Sequence, residues 1–264
     1  MAVIKPRIAY DNYLQDSATT ITFSTETVGF EAALAYNNRS DQGWLPSAVG
    51  LSTITADLGS SRTVNAFCIG RSTLGTNDGT IELFYSDTGT GGPWTSFATA
   101  ISPVDERQFY TFNDAGEDHQ YWQVQMTSAV ASELNLLFVG SDFEIAEGQY
   151  AGTTPPFLNR ADNIQVNQTQ GATFVGAAIL SENTKVNFKY EHLSQSFVRT
   201  IWEPFQLHGR TKPYWLLWNS EGKPDEATWA FPSGAFPNSS NDTNGFMAVG
   251  LKSNALPSIA TLTQ

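Results

Sequence analysis

Short apolar runs separated by turn residues dominate the first half of the chain. Seven runs of five to eight residues each predict a β-strand: residues 20–24, 53–58, 66–71, 80–85, 107–112, 121–127 and 138–145. Glycine-rich polar clusters lie between them, as at 75–79 and 87–93. Many short strands with such turns are typical of a β-sandwich or jelly roll, so we expect an all-β fold.

The second half combines strands with one short helix. Strands are predicted at residues 172–180, 185–192, 214–219, 228–231 and 245–252. Val186, Phe188 and Tyr190 alternate with polar residues, which indicates a strand with one buried face. Ser194 is placed to cap a helix over residues 195–204. The pattern predicts a second β-sandwich-like domain that carries this helix.

Glycine and proline mark a boundary between the two halves. Two glycines and two prolines interrupt any regular element within residues 148–157, and the adjacent Pro155 and Pro156 favour extended chain. We therefore predict a first domain at residues 1–147, a linker at 148–157 and a second domain at 158–264.

Charge divides the chain at nearly the same place. Residues 1–150 carry 18 acidic and 6 basic side chains, a net charge of −12, whereas residues 151–264 carry 8 of each. Because phosphate binding depends on basic patches, this balance argues against nucleic acid as a partner. An acidic domain suits exposure to solvent, and a neutral domain suits burial against other subunits.

The number of cysteines and the length of the apolar runs indicate where the protein folds and which catalytic sites it could contain. Cys68 is the only cysteine, so no internal disulfide is possible, and its apolar neighbours predict a buried side chain rather than a nucleophile. No secretory pattern opens the chain and no apolar run approaches ~20 residues, so we expect folding in a reducing cytoplasm without membrane insertion. No nucleophile elbow, zinc-protease pair or phosphate loop occurs, so no catalytic residue is assigned.

Five segments follow one another in a distinctive order between residues 30 and 145. They are Ala32-Ala33-Leu34 followed by Trp44, the strand-turn-strand at 54–67, Phe84-Tyr85-Ser86 followed by Trp94, Tyr121-Trp122-Gln123-Val124-Gln125, and the apolar strand at 138–145. This order resembles the discoidin, or coagulation-factor type C, family. The resemblance implies a jelly-roll β-sandwich with Trp44, Trp94 and Trp122 in its core.

The discoidin family commonly binds sugars or lipid head groups through loops at one end of the barrel. The apolar and basic projections of its lipid-binding members, and the His and Arg set of its fucose-binding members, have no clear counterpart here. We predict that a ligand would contact the polar loop at Tyr36, Asn38, Arg39 and Asp41. The alternative is a scaffold that has no ligand.

The same loop, residues 37–43, offers several side-chain and backbone oxygens. Calcium prefers such oxygen-rich loops, and many discoidin-like domains hold calcium near this place. The resemblance therefore implies a calcium site with Asn37 and Asp41 as ligands, although an ordinary polar loop would have the same composition. No other cofactor is expected.

The hairpin, short helix and aromatic segment 210–218 of the second half resemble the β-rich modules of tailed-bacteriophage tail proteins, of the distal-tail or baseplate type. The resemblance implies a virion location, synthesis in the host cytoplasm, other phage tail proteins as partners, and a ring-type homo-oligomer. Trp202 lies off the predicted buried face of the helix, and Trp215 and Trp218 have odd spacing in one strand. We therefore predict that Trp202, Trp215 and Trp218 include interface anchors.

Together these patterns favour a non-enzymatic virion structural protein of a tail tip or baseplate, which assembles through its second domain and projects the first. The alternative is a carbohydrate-binding adhesin or receptor-binding module of a tail fibre, with host-surface glycans as partners. A glycan-active hydrolase is a third reading, because the first domain is rich in carboxylates and a glycosidase needs two of them at a fixed separation.

Overall fold

The computed structural model describes residues 4–105, 107–146, 154–160, 162–170, 172–181, 184–234, 240–241 and 246–256. The chain divides into two compact units. The first unit is Ile8–Phe143, and the second unit comprises Met1–Arg7 together with Glu144–Gln264. Residues 148–153 of the predicted linker lie outside the described residues. The observed division thus differs from the predicted one by a few residues at its boundary and assigns the first seven residues to the second unit.

The first unit is built from antiparallel strands in the order β1-β7-β3-β6-β4-β5, with β2 paired to β3. The strands are β1 (Arg7–Asn12), β2 (Thr20–Phe23), β3 (Gly50–Ser72), β4 (Thr80–Ser86), β5 (Thr95–Ser96), β6 (Phe109–Ser128) and β7 (Leu134–Glu144). Two short 3₁₀ turns, Tyr13–Gln15 and Ala32–Tyr36, complete the unit. The antiparallel strands confirm the expected all-β class.

Strands β3 and β6 form one long bent ladder. Their register runs from Gly50 opposite Ser128 to Ile69 opposite Phe109, with irregularities after Asp57 and after Val64. Bulges of this kind bend a strand and increase its twist, which lets β3 pair with β7 along its second half. The carboxylate of Asp57 accepts a hydrogen bond from the amide of Gly59 at 2.8 Å, as expected for a turn residue.

The core of the first unit lies between these strands. Trp44 and Trp122 are buried, and their indole N–H groups donate to the carbonyl oxygens of Thr25 and His119 at 2.9 and 3.0 Å. Trp94 is only half-buried and does not belong to this core, so that expectation was wrong. Cys68 is buried as predicted, and burial raises the pKa of its thiol well above the usual value.

The second unit contains a mixed set of shorter elements. Its strands are β8 (Asn163–Gln168), β9 (Phe174–Ser181), β10 (Thr184–Leu193), β11 (Tyr214–Leu217), β12 (Ala227–Pro232), β13 (Ser240–Asn241) and β14 (Met247–Ala255). The order β10-β14-β12-β11 holds one group together, with β13 on β14, while β8 and β9 form a separate pair. Along β10 the residues alternate between buried and exposed, as the sequence pattern predicts. A 3₁₀ turn lies at Pro156–Leu158.

One continuous helical segment follows β10. It consists of α1 (Gln195–Phe197), a π-helical turn (Val198–Trp202) and α2 (Glu203–Gly209), and the Ser194 hydroxyl caps it by accepting from the Phe197 amide at 3.1 Å. Among the described residues no helix is both long and apolar enough to cross a membrane.

The predicted exposure of the tryptophans in the second unit needs correction. Trp202 has no exposed surface, and its ring packs edge-on against Tyr190 and Phe205 with centroids 5.9 and 5.2 Å apart. Trp215 and Trp218 are 3% and 9% exposed. All four residues of β11 are buried, so Trp215 lies in a strand that is covered on both faces. Trp218 follows the end of this strand and is also buried. Trp202 therefore packs within the second unit, and Trp215 and Trp218 are likewise buried instead of open to a partner subunit.

Candidate ligand-binding cleft

Three chain segments meet at one end of the first unit. Residues Trp44 and Leu134 exchange two backbone hydrogen bonds of 2.9 Å, which joins the loop 37–43 to the start of β7. Just beyond β3, the Thr73 amide donates to the Glu133 carbonyl at 3.0 Å and the Thr73 hydroxyl accepts from the Glu133 amide at 2.8 Å. These hydrogen bonds, three between backbone groups and one to the Thr73 side chain, hold together segments that are far apart in the sequence.

Between these segments lies an open polar cleft of about 240 Å³. Its lining consists of Ser40, Asp41, Arg71, Ser72, Thr73, Glu133 and Asn135. The lining thus combines a guanidinium, two carboxylates, an amide and three hydroxyls, a set that can both donate and accept hydrogen bonds.

A close approach at Gly43 determines how tightly the loop 37–43 packs beside the cleft. A β-carbon at this position would lie 2.8 Å from the Glu133 Oε1 atom, 2.8 Å from the Leu134 carbonyl oxygen and 2.9 Å from the Asn135 Cγ atom. Only glycine permits this approach, so the residue type at position 43 sets the distance between two walls of the cleft.

Charge pairing orders the two walls. The Arg39 guanidinium donates two hydrogen bonds to Asp41, at 3.1 and 2.8 Å, and holds the pKa of that carboxyl below its usual value; Arg71 contributes in the same direction. On the other wall, the Asn135 amide donates to Glu133 Oε1 at 2.9 Å. Each carboxylate therefore has a partner within its own wall and keeps the capacity to accept further hydrogen bonds.

Arg71 occupies an unusual backbone position. Its φ angle is +48°, a left-handed conformation that residues other than glycine seldom adopt. Such strained residues cluster at functional sites because the surrounding structure must over-determine them. The strain places a long cationic side chain in the lining of the cleft, where a glycine would relieve the strain but supply no donor.

The structure separates the residues predicted for ligand contact. Asp41 lines the cleft, whereas Tyr36, Asn38 and Arg39 do not. Tyr36 is half-buried against the core, where burial raises the pKa of its phenol, and its carbonyl accepts from the Gln15 side chain. Asn38 also bonds to Gln15, at 3.0 Å. This part of the loop is thus anchored to the 3₁₀ turn at Tyr13–Gln15.

The predicted calcium ligands have protein partners in this structure. The Asn37 side-chain oxygen accepts from the Arg39 amide at 2.9 Å, and the Asp41 carboxylate is paired with the Arg39 side chain. Among the described residues no cluster of three or more His, Cys, Asp or Glu side chains is arranged to hold a metal ion. Calcium binding at Asn37 and Asp41 stays a prediction.

Sequence reasoning missed most of the cleft. Arg71, Glu133 and Asn135 lie 30 or more residues from Asp41, and no local motif connects them. Of these three residues, only Arg71 could have been suspected from the sequence, because it is a basic residue at the end of an apolar run in a domain with few basic residues. The only histidine of the first unit, His119, does not line the cleft; it stacks on Tyr85 with centroids 3.9 Å apart.

No family model and no curated protein matches this sequence. One similar solved structure is a module named CpGH89CBM32-6 from Clostridium perfringens, which is 13% identical with a TM-score of 0.41, covering 49% of this chain and 98% of that one. Another is chitosan-binding module 1 from the chitosanase/glucanase of Paenibacillus sp. IK-5, which is 21% identical with a TM-score of 0.40, covering 50% of this chain and 100% of that one. The family 32 carbohydrate-binding module of C. perfringens NanJ, solved with galactose, is 17% identical with a TM-score of 0.40, covering 50% of this chain and 98% of that one. Likenesses at this level do not determine a ligand for this chain.

Proposed function

We propose that the first unit is a non-catalytic carbohydrate-binding module and that the cleft between the loop 37–43, the end of β3 and the start of β7 is its sugar site. The observation that carries this proposal is the position of Arg71, held at a strained φ of +48° in a polar cleft that also contains Asp41 and Glu133. Sugars present neighbouring hydroxyl groups that both donate and accept. A guanidinium with five donors beside two carboxylates complements such groups.

The charge of the cleft supports a neutral or cationic ligand over an anionic one. Two carboxylates and one guanidinium line it, and the surrounding chain from 1 to 150 has a net charge of −12. Anionic polymers such as nucleic acids would be repelled by this field.

The same groups argue against glycoside hydrolysis in the cleft. A glycosidase needs a general acid with a raised pKa beside a second carboxylate. The Arg39 guanidinium instead lowers the pKa of Asp41, so Asp41 is ionised at neutral pH and has no proton to give. This makes Asp41 unsuited to act as a general acid, and we propose that the cleft binds sugar without turnover.

The sugars to test first are galactose and chitosan fragments, which are named with the similar modules of C. perfringens and Paenibacillus. Isothermal titration of the full chain against these sugars, together with a glycan array, measures binding directly. A chain that binds nothing across the panel contradicts the proposal.

Variants identify the site within the chain. Arg71→Asn removes the guanidinium but keeps a residue that tolerates positive φ, so the backbone is retained. We expect it to weaken binding at least about tenfold, or ~1.4 kcal/mol. Arg107→Ala, a matched loss of an arginine outside the lining, should bind like the wild type. Equal affinities of Arg71→Asn and wild type would place the site elsewhere.

The virion location, the tail-protein partners and the ring-type oligomer stay predictions from the sequence. They are compatible with a carbohydrate-binding first unit, because a tail component that contacts host-surface glycans would use such a module at its exposed end.

A further inference from the structure

Strands β8 and β9 form a two-stranded antiparallel hairpin in the second unit. In its register Ile164 lies opposite Ile179, and Val166 lies opposite Ala177. Because side chains alternate between the two faces of a strand, these four apolar residues share one face, defined here as the apolar hairpin face. The amide side chain of Gln165 belongs to the other face.

The apolar hairpin face is open to solvent. Ile164, Val166 and Ile179 are 51%, 49% and 56% exposed, and every described side chain of β8 is exposed. Three further large apolar side chains on β9 are also exposed: Phe174, Val175 and Leu180. In the part of the chain that the structure describes, no third strand pairs with either strand of the hairpin.

An isolated two-stranded hairpin is at best marginally stable in water, and exposed apolar patches of this kind mark interaction sites. The three large exposed side chains of the apolar hairpin face therefore call for a covering surface. We propose that the apolar hairpin face is a self-association surface and that its occupant is the same face of a second copy of this chain.

Charge favours a second copy over an acidic or basic partner. From residue 163 to residue 181 the sequence contains no charged side chain, so two hairpins meet without repulsion between like charges. An acidic or basic partner would find no complementary charge there. A two-fold contact uses the same patch on both subunits, and an uncharged patch is complementary to itself.

The available area also fits a pair of copies. Covering the exposed apolar side chains of this face on both copies would bury less than ~1,000 Å², which is the range of weak and reversible protein contacts. We therefore expect a reversible dimer with a dissociation constant in the micromolar range, about 1–100 µM. This inference is independent of the proposed sugar site.

Sedimentation velocity of the full chain across this concentration range tests the proposal. The wild type should shift from monomer to dimer with rising concentration. Ile164→Lys, which places a charge on the apolar hairpin face, should raise the dissociation constant at least about tenfold. Gln165→Lys is the matched control, since it adds the same charge to the other face of the same strand and should leave the dimer intact.

A cross-linking experiment covers the case in which Ile164→Lys disturbs the hairpin itself. The only native cysteine, Cys68, is buried, so an added thiol is the one accessible to oxidant. Val166→Cys should form a disulfide-linked dimer on mild oxidation, whereas Asn167→Cys, on the opposite face, should not.

Three results would overturn the proposal. The first is a wild type that stays monomeric at all concentrations. The second is equal loss of the dimer in Ile164→Lys and Gln165→Lys, or equal cross-linking of Val166→Cys and Asn167→Cys. The third is a monomer that floats with phosphatidylcholine vesicles unless Ile164 is replaced, because the face would then bind lipid instead of a second copy.

Discussion

Replacing Gly43 with alanine tests the link between the fold and the cleft with a single added methyl group. The new β-carbon would lie 2.8 Å from the Leu134 carbonyl oxygen, well inside van der Waals contact. That oxygen cannot rotate away, because it belongs to the backbone and accepts a hydrogen bond from the Trp44 amide at 2.9 Å. The loop 37–43 or the start of β7 must therefore move.

Overpacking of this kind costs about 1–3 kcal/mol. For a unit of this size each 1 kcal/mol lowers the melting temperature by roughly 3–6 °C, so Gly43→Ala should melt several degrees below wild type. The displacement should also widen the cleft between Asp41 and Glu133 and weaken sugar binding, because the donors and acceptors of the two walls would no longer match one ligand.

Differential scanning calorimetry and sugar titration of the full chain measure the two effects. Because the chain has two units, the transition of the first unit should be identified by its shift on adding sugar. Gly91→Ala is the matched control, since nothing lies within 4 Å of a β-carbon at Gly91 and its φ is not in the left-handed range. The free energy of unfolding of this control should lie within about 1 kcal/mol of the wild-type value, or slightly above it. A Gly43→Ala variant that melts and binds like Gly91→Ala would refute the packing argument.

Three further predictions concern buried and charged groups. The Tyr190 hydroxyl is buried and has no hydrogen-bond partner among the described residues, whereas the Tyr214 hydroxyl bonds to Ser253 at 2.5 Å. Urea unfolding should therefore show Tyr190→Phe neutral or stabilising and Tyr214→Phe destabilising by ~1 kcal/mol, and the reverse order would contradict the assignment. Cys68 should resist a thiol reagent in the native protein and react once on unfolding, because burial both shields the thiol and raises its pKa; fast native labelling would count against its position in the core. Since neighbouring arginines lower the pKa of Asp41 below its usual value, sugar binding should be constant across neutral and mildly acidic pH and weaken only in more acidic solution, as Asp41 takes up a proton. A titration midpoint near pH 6 would show that another group controls binding.

The local features of the chain could be read from its sequence because they depend on residues close together. Alternation predicts the buried face of β10, and the structure buries Val186, Phe188 and Tyr190 as expected. The Ser194 cap depends on an amide only three residues away, and the hydrogen bond from the Phe197 amide confirms it. Cys68 is buried because its apolar neighbours form a central strand.

Features that depend on distant parts of the chain came only from the tertiary structure. The pattern of the helix predicts a buried face of Phe197, Ile201 and Phe205, but the structure buries only Phe205 of these, together with Trp202. Contacts of Trp202 with Tyr190 from β10 select which side of the helix is covered. Strand β11 is covered on both faces, which no spacing rule within the strand could reveal.

The candidate site shows the same limit. The sequence drew attention to the loop that contains Asp41, since polar residues next to a core tryptophan form a recognisable local pattern. The sequence did not predict that Arg71 and Glu133 line the same cleft, because they lie up to 92 residues from Asp41. The bend of β3 and the pairing of Leu134 with Trp44 bring them beside Asp41. Chain composition and periodicity determine which strands form; backbone pairing between remote strands determines which side chains share a cleft.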